Sequence, residues 1–191
     1  RMAAELASRM LEQERIDLVL CFAPSCQVVE GFRSTFAAVL GRRLDGQIGA
    51  VGAAYTYQSM EYRDEGFWQL LDDYRVFVVF DEIHHCAGHD PLLSNAWGQQ
   101  ILHRIQDRAA FTLALSGTPW RSDDKAIALA RYSSPDGYLI CDYRYGLKDA
   151  IADNVCRSPR IVLLDNQEVK LTEQLGADSS VKLFPSIAKL L

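Results

Sequence analysis

The stretch VFVVFDE at residues 76–82 constrains the fold of this chain more than any other. Five apolar residues in succession, with no polar alternation, predict a strand covered on both faces, as strands of a parallel sheet are. The run then breaks into two carboxylates, Asp81 and Glu82, so charge is expected at the carboxyl end of a buried strand. In α/β proteins that end is where the ligand crevice lies. The two acids can divide the chemistry: the one nearer the strand can hold a hard divalent cation, directly or through its water shell, while its neighbour polarises an attacking water. Such a pair suits the working end of a nucleoside-triphosphate hydrolase. An isolated Asp-Glu also commonly begins a solvated loop, so other stretches have to decide.

They repeat the pattern. Residues 1–15 place Leu6, Met10 and Leu11 at helical spacing, and residues 16–22 form an apolar run that stops at Ala23-Pro24-Ser25, since a strand ending in proline cannot continue its ladder. Residues 27–40 return to helical spacing through Val28, Val29, Phe32, Phe36, Val39 and Leu40, which completes a βα rhythm. Residues 41–52 are weakly strand-like around Ile48 and Val51, and residues 53–57 are a second candidate strand. Ser59 is expected to cap a helix to about Tyr74 that Gly66 can split. After the acidic strand, residues 84–93 read as a loop, and residues 94–108 as a helix with Ala96, Trp97, Ile101, Leu102 and Ile105 on one side. A third continuous apolar run, residues 109–115, ends in Ser116-Gly117-Thr118-Pro119-Trp120. Three buried-type strands thus finish in short loops of hydroxyl, proline or acid, the placement a shared site along one sheet edge requires. Beyond it, Ser122-Asp123-Asp124 is expected to cap a helix to Tyr132, residues 133–137 a turn, 138–141 a short strand, and 146–153 a short helix closed by a left-handed Asn154. Residues 160–164 form a last apolar run, and a boundary is placed near Asp165.

Composition limits the partners. A length of 191 residues predicts one domain with room for a short piece of a second, and a net charge of −5 leaves no global basic footprint, so nucleic-acid contacts are expected from local groups or from other parts of the protein. Five cysteines without a CxxC pair read as reduced thiols, and no apolar stretch reaches membrane-spanning length; a cytoplasmic protein is expected.

DEIH at 81–84, SGTPWR at 116–121, APS at 23–25 and TYQSM at 56–60 stand in the order, and at about the separations, seen in superfamily-two helicases and translocases. The chain resembles that family, nearest its DEAH-like branch of restriction-enzyme motor subunits and DNA repair helicases. The resemblance runs to about Pro159 and takes in YRYGLKDAIADNVCRSP, which looks like the segment closing a first motor domain. It implies an α/β RecA-like P-loop NTPase domain over residues 1–164, a mostly parallel sheet flanked by helices and lacking its first strand and phosphate-binding loop. Residues 165–191 would be a linker or the start of the segment leading to a second motor domain. By the same resemblance Asp81 would hold magnesium, Glu82 would activate the water attacking ATP, and His84 would link the nucleotide site to neighbouring motifs. Ser116, Gly117 and Thr118 would couple hydrolysis to movement, and Pro24, Ser25, Thr56 and Gln58 would contact the nucleic-acid backbone. The implied activity is ATP-dependent helicase or translocase work on nucleic acid, DNA before RNA, with a second RecA-like domain as partner and no membrane.

No G-x-x-x-x-G-K-[ST] loop occurs in the chain, although residues 1–15 look like the helix that follows one. The loop is therefore expected upstream of Arg1, and the residues given would be close to inactive alone. The alternative is a catalytically incomplete helicase-like domain that binds nucleic acid or protein. His84, His85, Cys86 and His89 also contain zinc-ligand types, but adjacent histidines are expected to point apart and no HExxH or paired CxxC frames them. G-x-S-x-G is absent, so Ser116 is not read as a nucleophile. Trp97 and Trp120 are expected in the core or at its rim.

Overall fold

The strands expected from the apolar runs form one parallel sheet. A computed structural model of the chain describes residues 1–88 and 94–157, with the backbone of two further strands at 169–175 and 178–184. In chain order the first compact unit, Arg1–Cys141, contains α1 (Met2–Glu12), β1 (Leu18–Ala23), α2 (Cys26–Leu40), β2 (Gly52–Thr56), a 3-10 turn (Tyr57–Tyr62), α3 (Glu65–Asp73), β3 (Val76–Phe80), a 3-10 turn (Ile83–His85), α4 (Ala96–Gln100) running into a π-helical turn (Ile101–Ile105), β4 (Phe111–Ala114), β5 (Arg131–Tyr132) and β6 (Leu139–Ile140). The second unit, Asp142–Leu191, contains α5 (Leu147–Ala152) and an antiparallel pair, β7 (Val169–Leu175) and β8 (Asp178–Phe184). The expected run at 160–164 and the boundary near Asp165 lie outside the described residues.

Strand order is β2-β1-β3-β4, all parallel, with Leu18 opposite Val76, Phe22 opposite Phe80, and Phe80 opposite Ala114. Alternate residues serve two cores. Leu20, Phe22, Val78 and Phe80 pack with Trp68 and Leu71 of α3 and Ile101 and Ile105 of the π turn, and the Phe22 and Phe80 rings stack at 5.8 Å. Val19, Cys21, Phe77 and Val79 face α1 and α2 through Ala7, Met10, Val29 and Phe36. Helices on both faces explain why β1 and β3 carry no polar alternation. All five cysteines are free thiols, and no helix among the described residues is long and apolar enough to cross a membrane.

Several local expectations give way to tertiary contacts. In α1 the buried stripe is Ala3, Ala4, Ala7 and Met10, while Leu6 is exposed; small side chains let the helix lie close to its neighbours. Ile48 is fully exposed, whereas Val51 is buried. Ser59 caps no helix: its hydroxyl donates to the Thr56 carbonyl at 2.7 Å, and Asp64 caps α3 by accepting the Phe67 N–H at 2.8 Å. The helix expected from Ser94 begins at Ala96 with Asn95 as its cap, and within it Ala96 is exposed and Gly98 buried. In β4, an edge strand among the described residues, Phe111 and Leu113 are half-buried against the α1–α2 core, but Thr112 and Ala114 on the other face are exposed. Residues 122–132 are not helical. Their backbone bonds go across to the segment at Cys86–Gly88, with Ala128 N–H to Cys86 C=O and Gly88 N–H to Ala126 C=O, and Asp124 and Leu129 take left-handed conformations. A helix propensity worth tenths of a kcal/mol per residue loses to such long-range pairing. The turn before β6 and the left-handed Asn154 after α5 form as expected.

Two features generate predictions. A β-carbon at Gly98 would overlap the Ala87 carbonyl oxygen, so Gly98→Ala should lower stability by about 1–3 kcal/mol, read from chemical denaturation. Asp17 accepts the N–H and guanidinium of Arg75 at the foot of β1 and β3, which holds its carboxyl at about 2 against an ordinary 3.8. A depressed carboxylate stabilises the fold above its ordinary value and loses that contribution as pH falls toward 2. Asp17→Asn should therefore flatten the decline in stability across that window, followed by circular dichroism during acid titration.

Candidate functional site

Because every strand of the sheet runs the same way, the loops after β1 (Pro24, Ser25), β2 (Thr56, Gln58), β3 (Asp81, Glu82) and β4 (Ser116, Gly117, Thr118) leave from one rim. The acidic turn is tied to all three other strand ends. Asp81 N–H donates to Phe22 C=O of β1 at 2.9 Å, Ile83 N–H donates to Leu115 C=O beyond β4 at 3.0 Å, and the Tyr57 hydroxyl, just after β2, donates to Asp81 C=O at 2.7 Å. Between these ties Glu82 takes φ 51° and ψ 48°, the left-handed region. For a residue other than glycine that conformation costs on the order of 1–2 kcal/mol. It is offset by the hydrogen bonds on either side.

The turn carries a small polar network. A carboxylate oxygen of Glu82 lies 3.2 Å from Nδ1 of His84 and accepts the Gly117 N–H at 3.5 Å. The same Nδ1 is 2.9 Å from the Ser116 hydroxyl, which also accepts the Thr118 N–H at 3.1 Å, and the Thr118 hydroxyl lies 3.4 Å from that nitrogen. His84 thus sits between the acid after β3 and the hydroxyl loop after β4. Asp81 is half-buried; burial raises its pKa, the Glu82 charge adds to the rise, and a backbone hydrogen bond from Glu82 opposes it. No cationic side chain among the described residues pairs with Asp81. Burial lowers the pKa of His85, and the neighbouring His84 adds to the effect. The His84 and His85 ring centroids lie 4.3 Å apart, so the two do not diverge as adjacent residues in a strand would; the 3-10 turn brings them together. Burial pushes the Cys86 thiol up to about 12. His89 lies outside the described residues.

The remaining expected contacts share the rim but not the network. Ser25 is exposed and caps α2, accepting the Val28 N–H at 3.4 Å. Pro24 is half-buried at the end of β1, Thr56 is half-buried at the end of β2, and Gln58 is exposed. Two residues inside the motifs carry structure that sequence reasoning did not assign. Tyr57, wholly buried, stacks on Trp97 with centroids 5.5 Å apart, and burial pushes its phenol far above the ordinary range, so it remains a donor. Its signal was a tyrosine between two small polar positions, a ring for the core with one polar handle. Arg121 donates to the His84 carbonyl and grips both carboxylate oxygens of Asp123, at 2.8 and 2.7 Å, which holds that carboxyl at about 2. Arg-x-Asp spacing in the loop after SGTP was its signal. Trp120, by contrast, is an exposed rim residue.

Arg121 therefore braces the His84 turn from behind. Replacing it with alanine leaves the His84 carbonyl without its charged donor, and Arg121→Ala should reduce stability by about 1–2 kcal/mol. Faster amide hydrogen exchange at residues 84–86 is the accompanying local readout.

No protein-family model matches the chain. An uncharacterized protein of Mycobacterium leprae is 35% identical over 112 residues, covering 57% of this chain and 18% of that protein. Two uncharacterized proteins from strains of Mycobacterium tuberculosis are 38% identical over 112 residues, covering 57% of this chain and 17% of each. The chain thus spans less than a fifth of the length of these relatives.

Proposed function

We propose that this chain forms most of the first RecA-like domain of a nucleic-acid motor that couples ATP hydrolysis to movement along a strand, DNA in preference to RNA. The observation that carries this reading is the convergence of Glu82, Ser116 and Thr118 on Nδ1 of His84, set on the same rim as the Pro24–Ser25 and Thr56–Gln58 loops. In it, Glu82 orients and deprotonates the attacking water, and His84 relays the state of that acid to the hydroxyl loop after β4. Pro24, Ser25, Thr56 and Gln58 contact backbone phosphates and sugars, which sets register without reading bases.

Asp81 fits a magnesium ligand. It is a hard oxygen donor at the strand end, free of any paired cation, and Mg²⁺ is commonly bound through one or two carboxylates with the rest of its shell from water and phosphate. Among the described residues no group of three or more His, Cys, Asp or Glu gathers around a point. When bound, the ion supplies neutralisation of phosphate charge. A phosphate-cradling loop and a second motor domain belong to other parts of the parent protein in this reading, and relatives more than five times the aligned length leave room for both.

The test uses the complete parent protein. Glu82→Gln should leave ATP affinity within about threefold while lowering kcat by about 10²-fold or more, the range for loss of a general base. Undiminished turnover would reject the role of Glu82. Nucleic-acid binding with no hydrolysis in the unaltered protein supports a helicase-shaped binding module instead.

A further inference from the structure

The loop after β2 alternates in a telling way. Thr56 is half-buried, Tyr57 is wholly buried, and Gln58 is exposed. The two outer residues are the ones offered to a nucleic-acid backbone, while the middle one points inward and ends its hydroxyl 2.7 Å from the carbonyl of Asp81. The ring has little room to move. It stacks on Trp97 of α4 at an interplanar angle of 18°, and Ser59 locks the turn by donating to Thr56 C=O at 2.7 Å. The peptide that Tyr57 grips joins Asp81 to Glu82, so its tilt sets the direction of both carboxylates, and Glu82 already holds a left-handed conformation that only its neighbours maintain.

We propose that Tyr57 is a positioning residue through which occupancy of the Thr56–Gln58 loop sets the orientation of the Asp81–Glu82 peptide. This rests on the motor reading and adds to it a route by which nucleic acid regulates hydrolysis. A strand pressing on Thr56 and Gln58 fixes the turn they belong to. The fixed turn fixes the phenol, and the phenol fixes the acidic peptide. The coupling is local, one side chain long, and needs no rearrangement of the sheet.

Tyr57→Phe in the full-length parent protein removes one hydroxyl and keeps the ring. ATPase activity is measured with and without double-stranded DNA, with DNA affinity and melting temperature alongside. Stimulation of kcat by DNA should fall by about tenfold, the effect of one buried hydrogen bond, while KM for ATP and the DNA Kd stay within about twofold. A rise in KM with stimulation intact overturns the proposal and leaves Tyr57 a packing residue. A second measurement does not depend on the variant folding: in the unaltered protein, DNA should slow amide exchange at residues 81–83 together with residues 56–58. Protection of 56–58 alone overturns the coupling and spares the motor reading. Absence of any ATP hydrolysis by the unaltered protein, with or without DNA, overturns both.

Discussion

The structure depends on parallel pairing that continues past the ends of the strands. β3 lies between β1 and β4, and the ladder does not stop at Phe80: Asp81 still donates to β1 and Ile83 still donates beyond β4. A turn carrying two acids would normally be a mobile loop start. Here the Asp81 and Ile83 amides are bonded on both sides, so the backbone that carries the carboxylates is tied to the sheet. The two-sided hydrophobic cover maintains that sheet in turn, since only helices on both faces let the central strands be built wholly of apolar residues.

Rigid placement gives the polar groups a division of labour that their exposures reflect. Glu82 and Thr118 face solvent, His84 is largely covered, and Arg121 lies beneath, with most of its charge already engaged by Asp123. In the motor reading, water and nucleotide approach from the open side, while the covered histidine joins two strand ends that would otherwise respond independently. The arginine contributes no chemistry to that scheme; it keeps the carbonyl behind the histidine satisfied.

How much of this was legible in the sequence depended on which force decided each segment. β1 and β3 were readable because uninterrupted apolar runs have few other fates, and the shared rim followed from their direction. Positions 81, 82, 84, 116 and 118 could be listed in advance as candidates, and the structure brings Glu82, His84, Ser116 and Thr118 into contact beside Asp81. Segments governed by contact rather than pattern were not readable. Residues 122–132 have a respectable helix start, yet the Ala128 amide and the Ala126 carbonyl are claimed by Cys86 and Gly88, residues more than thirty positions earlier. On α1, Met10 and Leu11 reach the core as their spacing suggests, but Leu6 does not, and the alanines that fill the rest of the buried stripe carry little hydrophobic signal although they permit the closest approach. Tyr57 and Arg121 escaped for a related reason: each acts on a backbone carbonyl, and nothing in a sequence marks the partner of such a bond.

Glu82 stands where a glycine would be more comfortable, since a residue without a β-carbon adopts that left-handed geometry freely. Optimising this chain for thermal robustness alone would therefore select the replacement that erases its exposed acid. In the motor reading, fold and chemistry make opposite demands at this one position, and glutamate there serves the chemistry.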